Sequence, residues 1–334
     1  AARRRTGGEQ RVMALALGVP PPREGRAVAS RCASARRRLR RRAAVTGAAG
    51  QAGERAAARE AAKGELREAL KAAGGDTSDD RVAAALRALA PLCPSGGAAD
   101  AALMCGDGVE GAVWSMLSKP DFPDLLDVDD AGRCIFSLGR LSFGRFAPVA
   151  TRCAVDAIDN PVGAPCGRAF GYDFIVRFEV LDGPAAGARG LMRTFGEAEM
   201  PEEAAQAETS GPDELPVSGR VAVKFTGGGM RLDRSDASFD SDAEVELSER
   251  WRSAFGADAV AADRAAARWH KKVLSKVFGW LLGVNDQVSE SVSDEFTQSY
   301  TLARSPKGFF DVLYVDETMR VTRGNAGTVV VVER

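Results

Sequence analysis

The sequence near the end of the chain runs Phe309-Phe310-Asp311-Val312-Leu313-Tyr314-Val315-Asp316-Glu317-Thr318-Met319-Arg320-Val321-Thr322-Arg323-Gly324-Asn325-Ala326-Gly327-Thr328-Val329-Val330-Val331-Val332. Three apolar, β-branched or aromatic runs are separated by polar residues at 316–318 and 324–327, which is typical of short strands joined by tight turns. An apolar strand such as 329–332 would aggregate as an exposed edge, so we expect it to be buried in a sheet. The segment predicts a terminal β-meander that closes a barrel.

Two earlier segments, residues 172–180 and 220–225, alternate apolar and polar side chains. In the first, Phe174, Val176 and Phe178 fall on one face of a strand, and charged residues fall on the other. Antiparallel strands with one dry face and one wet face form barrels or sandwiches. Together with the meander, they predict a mainly β fold built on an antiparallel barrel.

The region before the strands has a helical pattern from residue 54 to about residue 92. A polar break at residues 74–80 divides it into a pair of helices, and Thr77 or Ser78 is the expected N-cap of the second. Pro91 and Pro94 end the pair. Its apolar stripe is narrow, so we expect the helices to pack on the rest of the fold.

The terminal segment resembles the signature of the plastid lipid-associated proteins, also called fibrillins. Their pattern is roughly Tyr-Leu-Asp-Glu-x-Leu-Arg-Ile-x-Arg-Gly-x-x-Gly followed by Phe-Val-Leu. The identical positions here are Tyr314, Asp316, Glu317, Arg320, Arg323, Gly324 and Gly327, while Val330 stands where the family has Phe. The resemblance implies a family domain over residues 51–334. It comprises a helical preface over 54–95, a lipocalin-like barrel over 110–334 and a helical insert at about 250–285.

The resemblance also implies a function. It suggests a non-enzymatic plastid protein that binds a small apolar ligand, such as a fatty acid, quinone or carotenoid, and associates with thylakoid or plastoglobule surfaces. A protein partner is a further possibility. The candidate ligand-binding residues are Phe174, Val176, Phe178, Phe225, Tyr314, Arg320 and Arg323.

Five residues of the pattern are assigned to structure: Trp114, Asp316, Glu317, Gly324 and Gly327. Trp114 belongs to the segment that resembles the family's first strand, and we expect it in the core. For Asp316 and Glu317 we expect an ion-pair network with Arg320 and Arg323 at one rim of the barrel. Alternatively, the same two arginines could hold a carboxylate or phosphate head group at the barrel mouth.

The first 50 residues are basic and poor in acids. They contain thirteen arginines, no lysine and two acidic residues, Glu9 and Glu24, although the whole chain has a net charge of −1. Such a composition is typical of an organelle transit peptide, so we expect residues 1–50 to direct the chain to the plastid. A basic arm for nucleic acid is the alternative, and the absence of Phe, Trp and Tyr argues against it. The apolar residues 13–19 could instead form a short signal segment.

The inserted segment at residues 261–284 has the pattern of a basic amphipathic helix. Its candidate membrane-surface residues are Trp269, Lys272, Lys276 and Trp280. The alternative is a helix that caps the barrel and buries the two tryptophans. The preceding residues 233–249 are acidic, and we expect a solvated loop there rather than a calcium site.

Neither a metal site nor a catalytic site is predicted. The chain has one histidine, His270, and six irregularly spaced cysteines, so we expect no zinc and no other cofactor. A reversible disulfide between Cys153 and Cys166 is the alternative to free, buried cysteines. Two other functions stay open: a barrel enzyme acting on an isoprenoid or lipid, and a protein-interaction scaffold with a solid core.

Overall fold

The computed structural model describes residues 48–94, 101–106, 111–122, 124–200, 215–235, 241–266, 296–302 and 307–334. Residues 57–334 form one compact unit, and residues 48–56 belong to the start of the first described helix. The described helices are Ala48–Ala72, Asp80–Leu89, the 3-10 turn Ala90–Leu92, Ala101–Cys105, Leu138–Leu141, Ser241–Phe255 and Ala257–Ala266. The described strands are β1 (Ala112–Met116), β2 (Asp127–Val128), β3 (Cys134–Ser137), β4 (Arg152–Val162), β5 (Ala169–Gly171), β6 (Phe174–Val180), β7 (Arg189–Glu199), β8 (Gly219–Leu232), β9 (Gln298–Thr301), β10 (Lys307–Val315), β11 (Met319–Gly324) and β12 (Val329–Glu333).

Eight antiparallel strands close into a barrel in the order β1-β12-β11-β10-β8-β7-β6-β4, and β4 pairs again with β1. The closure is made by β1, whose Trp114 pairs with Asn160 of β4 and whose Ser115 pairs with Glu333 of β12. Strands β3 and β2 extend the sheet beyond β4, while β5 pairs with β7 and β9 with β8. The predicted mainly β fold with an antiparallel barrel is confirmed.

The last three strands form the predicted meander, with β11 between β10 and β12. Gly327 has φ +90°, a left-handed conformation that glycine adopts without strain, in the turn before β12. The register of β10 shifts between Val312 and Tyr314. Because of this bulge, Val312 and Val315 lie in the barrel core, whereas Tyr314 lies on the outer face.

The N-terminal helices pack on the outer face of the meander. Buried Leu66, Val82 and Leu89 contact a cluster that includes Val321 and Val331. Full burial of such a side chain contributes about 1.5–3 kcal/mol, so this interface stabilises both the helices and the last strands. The N-cap of Asp80–Leu89 is Asp79, whose carboxylate accepts from the Arg81 amide, rather than Thr77 or Ser78.

The helix Ser241–Phe255 packs on the opposite side of the sheet from the N-terminal helices. Leu247, Trp251 and Phe255 are spaced four residues apart, and they contact the cluster that contains Val176 and Phe178. The expected acidic loop over residues 233–249 is therefore wrong from residue 241 onward, because the apolar spacing outweighs the acidic composition.

The predicted insert at about 250–285 is described only up to Ala266, at the end of the helix Ala257–Ala266. Trp269, His270, Lys272, Lys276 and Trp280 lie outside the described residues, as does nearly all of the predicted targeting segment 1–50. None of the described helices combines the length and apolar composition that crossing a bilayer requires.

Candidate functional site

The barrel encloses a cavity of about 310 Å³. This volume is at the lower end of the range of about 300–1,000 Å³ that is usual for small-molecule sites. Its apolar wall is formed by inward-facing residues of the ring strands, namely Trp114, Met116, Ile158, Phe174, Val223, Phe225, Phe310, Val330 and Val332. Asn160, Tyr172, Arg320 and Thr322 supply the main polar groups.

The cavity has a buried floor and an open mouth. Trp114 and Arg320 are almost fully buried at the floor, whereas Asp121 and Asn325 at the mouth are exposed. Along β11, Arg320, Thr322 and Gly324 face the cavity in succession. Since a strand rises about 3.4 Å per residue, about 14 Å of strand separates Arg320 from Gly324.

Trp114 forms the floor. Its indole Nε1 donates a hydrogen bond of 2.9 Å to the carbonyl oxygen of Met104 in the short helix Ala101–Cys105. The Cζ of Arg320 lies 5.0 Å from the indole centroid, and the Cζ of Arg334 lies 4.5 Å from it. A fully buried indole held by a hydrogen bond and two cation–π contacts makes a rigid end wall.

Arg320 is the charged group of the floor, and its side chain is unusually placed. The residue is 1% exposed, and its Nη2 donates to the Oδ1 of Asn160. Its Nε and Nη1, which carry three of the five guanidinium N–H groups, have no hydrogen-bond partner, and no described carboxylate pairs with it. Burial lowers its pKa, although an arginine stays protonated at neutral pH. A buried charge without a counter-charge costs several kcal/mol.

Asn160 and Tyr172 surround this guanidinium. The Nδ2 of Asn160 donates to the carbonyl oxygen of Asp173, which leaves the Asn160 Oδ1 facing Arg320. The Tyr172 ring centroid lies 5.8 Å from the Arg320 Cζ, and burial raises the pKa of this phenol. The phenol is therefore neutral at physiological pH, so it does not compensate the arginine charge.

The structure brings together three of the seven predicted ligand-binding residues. Phe174, Phe225 and Arg320 line the cavity. Val176 and Phe178 lie further along β6, in the core cluster with Trp251. The other two are on the outside. Tyr314 packs against the N-terminal helices because of the β10 bulge, and the Nη2 of Arg323 lies 3.2 Å from the Oδ2 of Asp311.

Several lining residues were missed at the sequence level. Phe310 and Thr322 lie two residues from Val312 and Arg320, and Tyr172 lies two residues before Phe174. The period-two alternation used for the other strands would have identified them. Asn160 gave no comparable signal, since its role depends on the long-range pairing of β4 with β1.

The predicted ion-pair network of Asp316 and Glu317 with the two arginines is wrong. Asp316 instead accepts from the Lys63 Nζ at 2.9 Å and from the Tyr314 hydroxyl at 2.5 Å. The strand alternation of β11 turns Arg320 into the barrel, away from the turn that holds Asp316. The side chain of Glu317 is exposed, and its carbonyl oxygen accepts from the Nε of Arg334 at 2.6 Å.

The groups around Asp316 form a buried polar cluster outside the cavity. Burial alone would raise the pKa of Asp316. Hydrogen bonds from Tyr314, Lys63 and the amides of Thr318 and Met319 lower it to about 2. Burial would lower the pKa of Lys63, yet its bonds to Glu60 and Asp316 raise it. Both groups are thus charged over the physiological range, which indicates a structural pair joining a helix to the terminal turn.

The described residues contain no group of three or more His, Cys, Asp or Glu that could hold a metal ion. Cys153 is buried and Cys166 is exposed, and no disulfide joins them. The disulfide alternative is therefore not supported.

Comparison with known proteins gives one match. The PAP_fibrillin family model matches residues 216–333, which contain β8 to β12 and, with them, Arg320 and the terminal signature. Neither the curated proteins nor the solved structures include a match to the chain. The family's members are generally structural, and membership implies association with plastids. The match, which covers about a third of the chain, and the signature it contains support membership of the PAP/fibrillin family of plastid lipid-associated proteins.

Proposed function

We propose that the protein is a non-enzymatic lipid-binding protein that holds a small apolar ligand inside its barrel and associates with thylakoid or plastoglobule surfaces. The main observation that supports this proposal is the cavity of about 310 Å³ within the closed barrel. Aromatic residues such as Phe174, Phe225 and Phe310 offer apolar surface, and burial of such surface favours binding by about 25 cal/mol per Å². Its small volume favours a fatty acid or a quinone over a whole carotenoid.

The two alternatives receive less support. A protein-interaction scaffold would have a solid barrel, whereas this barrel contains a cavity. An enzyme would place an acid or a base with a shifted pKa beside its substrate. Of the cavity groups with a shifted pKa, the Tyr172 phenol stays neutral and the Arg320 guanidinium stays protonated at physiological pH. The acid–base cluster of Lys63, Tyr314 and Asp316 lies on the outer face, against the helices.

Filling the cavity tests ligand binding. A Cβ at Gly308 would meet only the Val223 carbonyl oxygen, at 3.9 Å, so Gly308→Leu projects a side chain into the cavity. After incubation with a total plastid lipid extract and repurification, we expect the unmodified full chain to retain one lipid class by mass spectrometry. The Gly308→Leu variant should retain little of it, with an unchanged melting temperature.

The control for this experiment is Ala222→Leu, which places a leucine side chain on the exposed outer face of β8. It should retain the lipid as the unmodified chain does. Equal retention by the Gly308→Leu variant would place the ligand outside the barrel, and retention by none of the three proteins would refute the carrier function.

The membrane part of the proposal is supported by the composition of residues 261–284. Changing both Trp269 and Trp280 to Ser should abolish flotation of the full chain with galactolipid vesicles, because tryptophan anchors interfacial helices. The matched control is Val245→Ser, which removes an apolar side chain that is 57% exposed on the helix Ser241–Phe255. Undiminished flotation of the double variant would refute this role for the two tryptophans.

A further inference from the structure

We propose that the ligand is an anionic amphiphile that enters the barrel head first, so that its carboxylate binds Arg320 at the floor and its apolar chain extends to the mouth. This inference rests on the proposed ligand-binding function and adds the head group, its partner and its orientation.

The first support is the unmet hydrogen-bonding capacity of Arg320. Buried polar groups in proteins nearly always have partners. Yet the Nε and Nη1 of this residue have none, although it is 1% exposed and lines the cavity. A ligand with acceptor oxygens at the floor would satisfy these donors.

The second support is the charge balance around the floor. Asp159 also lines the cavity, but its carboxylate accepts from the Ser115 hydroxyl at 2.7 Å and pairs with Arg177. Asn160 and Tyr172 are neutral. Among the residues that line the floor, Arg320 therefore carries a positive charge without a paired carboxylate, and this charge attracts an anion and repels a cation in the largely apolar cavity.

The third support is the geometry of the guanidinium. Its Nη2 is held by Asn160, and its Cζ lies 5.0 Å from the centroid of the rigid Trp114 indole. A planar guanidinium fixed in this way matches a planar carboxylate, with which arginine forms paired hydrogen bonds. The apolar residues between the floor and the mouth, including Val223, Phe225 and Phe310, then contact the ligand chain.

The test compares three ligands with equal chains and different heads: decanoate, decan-1-ol and decyltrimethylammonium. Isothermal titration calorimetry on the full chain should show decanoate binding roughly 10- to 100-fold more tightly than decan-1-ol, since hydrogen bonds to charged groups contribute that much. Decyltrimethylammonium should bind least. Decyl phosphate in a fourth titration tests the head-group class, and tighter binding of the phosphate than of decanoate would overturn the carboxylate assignment.

Variants identify the residue responsible. Arg320→Met removes the buried charge, and we expect it to bind decanoate no more tightly than decan-1-ol while still binding the alcohol. The matched control Arg220→Met removes the same charge from the outer face of β8, where Arg220 pairs with Asp311 at 2.7 Å. It should keep the preference for decanoate.

The outcomes separate this inference from the function on which it rests. Equal affinities of the unmodified chain for decanoate and decan-1-ol would overturn the inference and leave a carrier of apolar ligands. If none of the ligands bound, the result would contradict both the head-group inference and the proposed ligand-binding function. A preference for decanoate that survives in the Arg320→Met variant would assign anion recognition to another residue.

Discussion

Asp316 shows at the residue scale how the family signature stabilises the fold. Its side chain is 5% exposed, that of Lys63 is 2% exposed, and their ion pair links the helix Ala48–Ala72 to the turn between β10 and β11. Removing one partner of a buried ion pair lowers the free energy of unfolding by about 3–5 kcal/mol, because the remaining charge is left buried without a counter-charge. The part of the family signature in this turn thus includes a stabilising contact with the helices.

We expect Asp316→Ala to lower the free energy of unfolding by about 3–5 kcal/mol without changing decanoate affinity. The control is Glu317→Ala, which changes an exposed neighbour in the same turn. It should change the free energy of unfolding by less than about 0.5 kcal/mol. Chemical denaturation measures the stability, and calorimetry measures the affinity. Loss of decanoate binding by a folded Asp316→Ala variant would give this turn a role in the ligand site.

The pH dependence of this contribution has a defined sign. The folded pKa of Asp316, about 2, lies below its ordinary value of 3.8. The stabilisation is therefore complete above about pH 4 and is lost as the pH falls toward 2, amounting to about 2 kcal/mol for a shift of this size. Between about pH 4 and pH 2, the free energy of unfolding of the Asp316→Ala variant should therefore fall less than that of the unmodified chain.

At the element scale, the helix Ser241–Phe255 depends on a glycine in the strand beneath it. Gly190 of β7 pairs with Phe178 of β6, and a Cβ at Gly190 would overlap the rings of Phe178 and Trp251. Both aromatic side chains are buried, and the Trp251 Nε1 donates to the Thr297 hydroxyl at 2.8 Å. They have little room to move.

Gly190→Ala should therefore lower the free energy of unfolding by about 1–3 kcal/mol through overpacking. The control Gly64→Ala places the same methyl group on the helix Ala48–Ala72, where nothing lies within 4 Å, and it should stabilise the protein by up to about 1 kcal/mol. Thermal denaturation of the two variants would show shifts of opposite sign. Similar shifts would mean that the contact beneath Trp251 is not tight.

The elements also show what the sequence could predict. Alternation identified β6, β8 and the meander, and it placed Phe174 and Phe225 on inward faces. It failed at Tyr314, because one bulge in β10 reverses the direction of the side chains beyond it. The partner of Asp316 was also missed, since Lys63 lies in a distant helix and no local pattern links the two.

At the scale of the whole molecule, the cavity is assembled from both halves of the described chain. The family match covers β8 to β12, while β1, β4, β6 and β7 supply the remaining ring strands and Trp114, Asn160 and Phe174. The fold class and the terminal strands were predictable from periodicity and from the signature. The charge state of the cavity floor was not, because it depends on which strands meet beside Arg320.

The pairing of β1 with β12 has a consequence for the order of events during synthesis. Ser115 meets its partner Glu333 only when nearly the whole described chain is present, and contacts of such long range form slowly. A nascent chain that lacks β12 has an open sheet and no enclosed floor beneath Arg320. Under the proposed function, ligand capture would therefore require β12 to be in place, and a chain that lacks this strand would be empty.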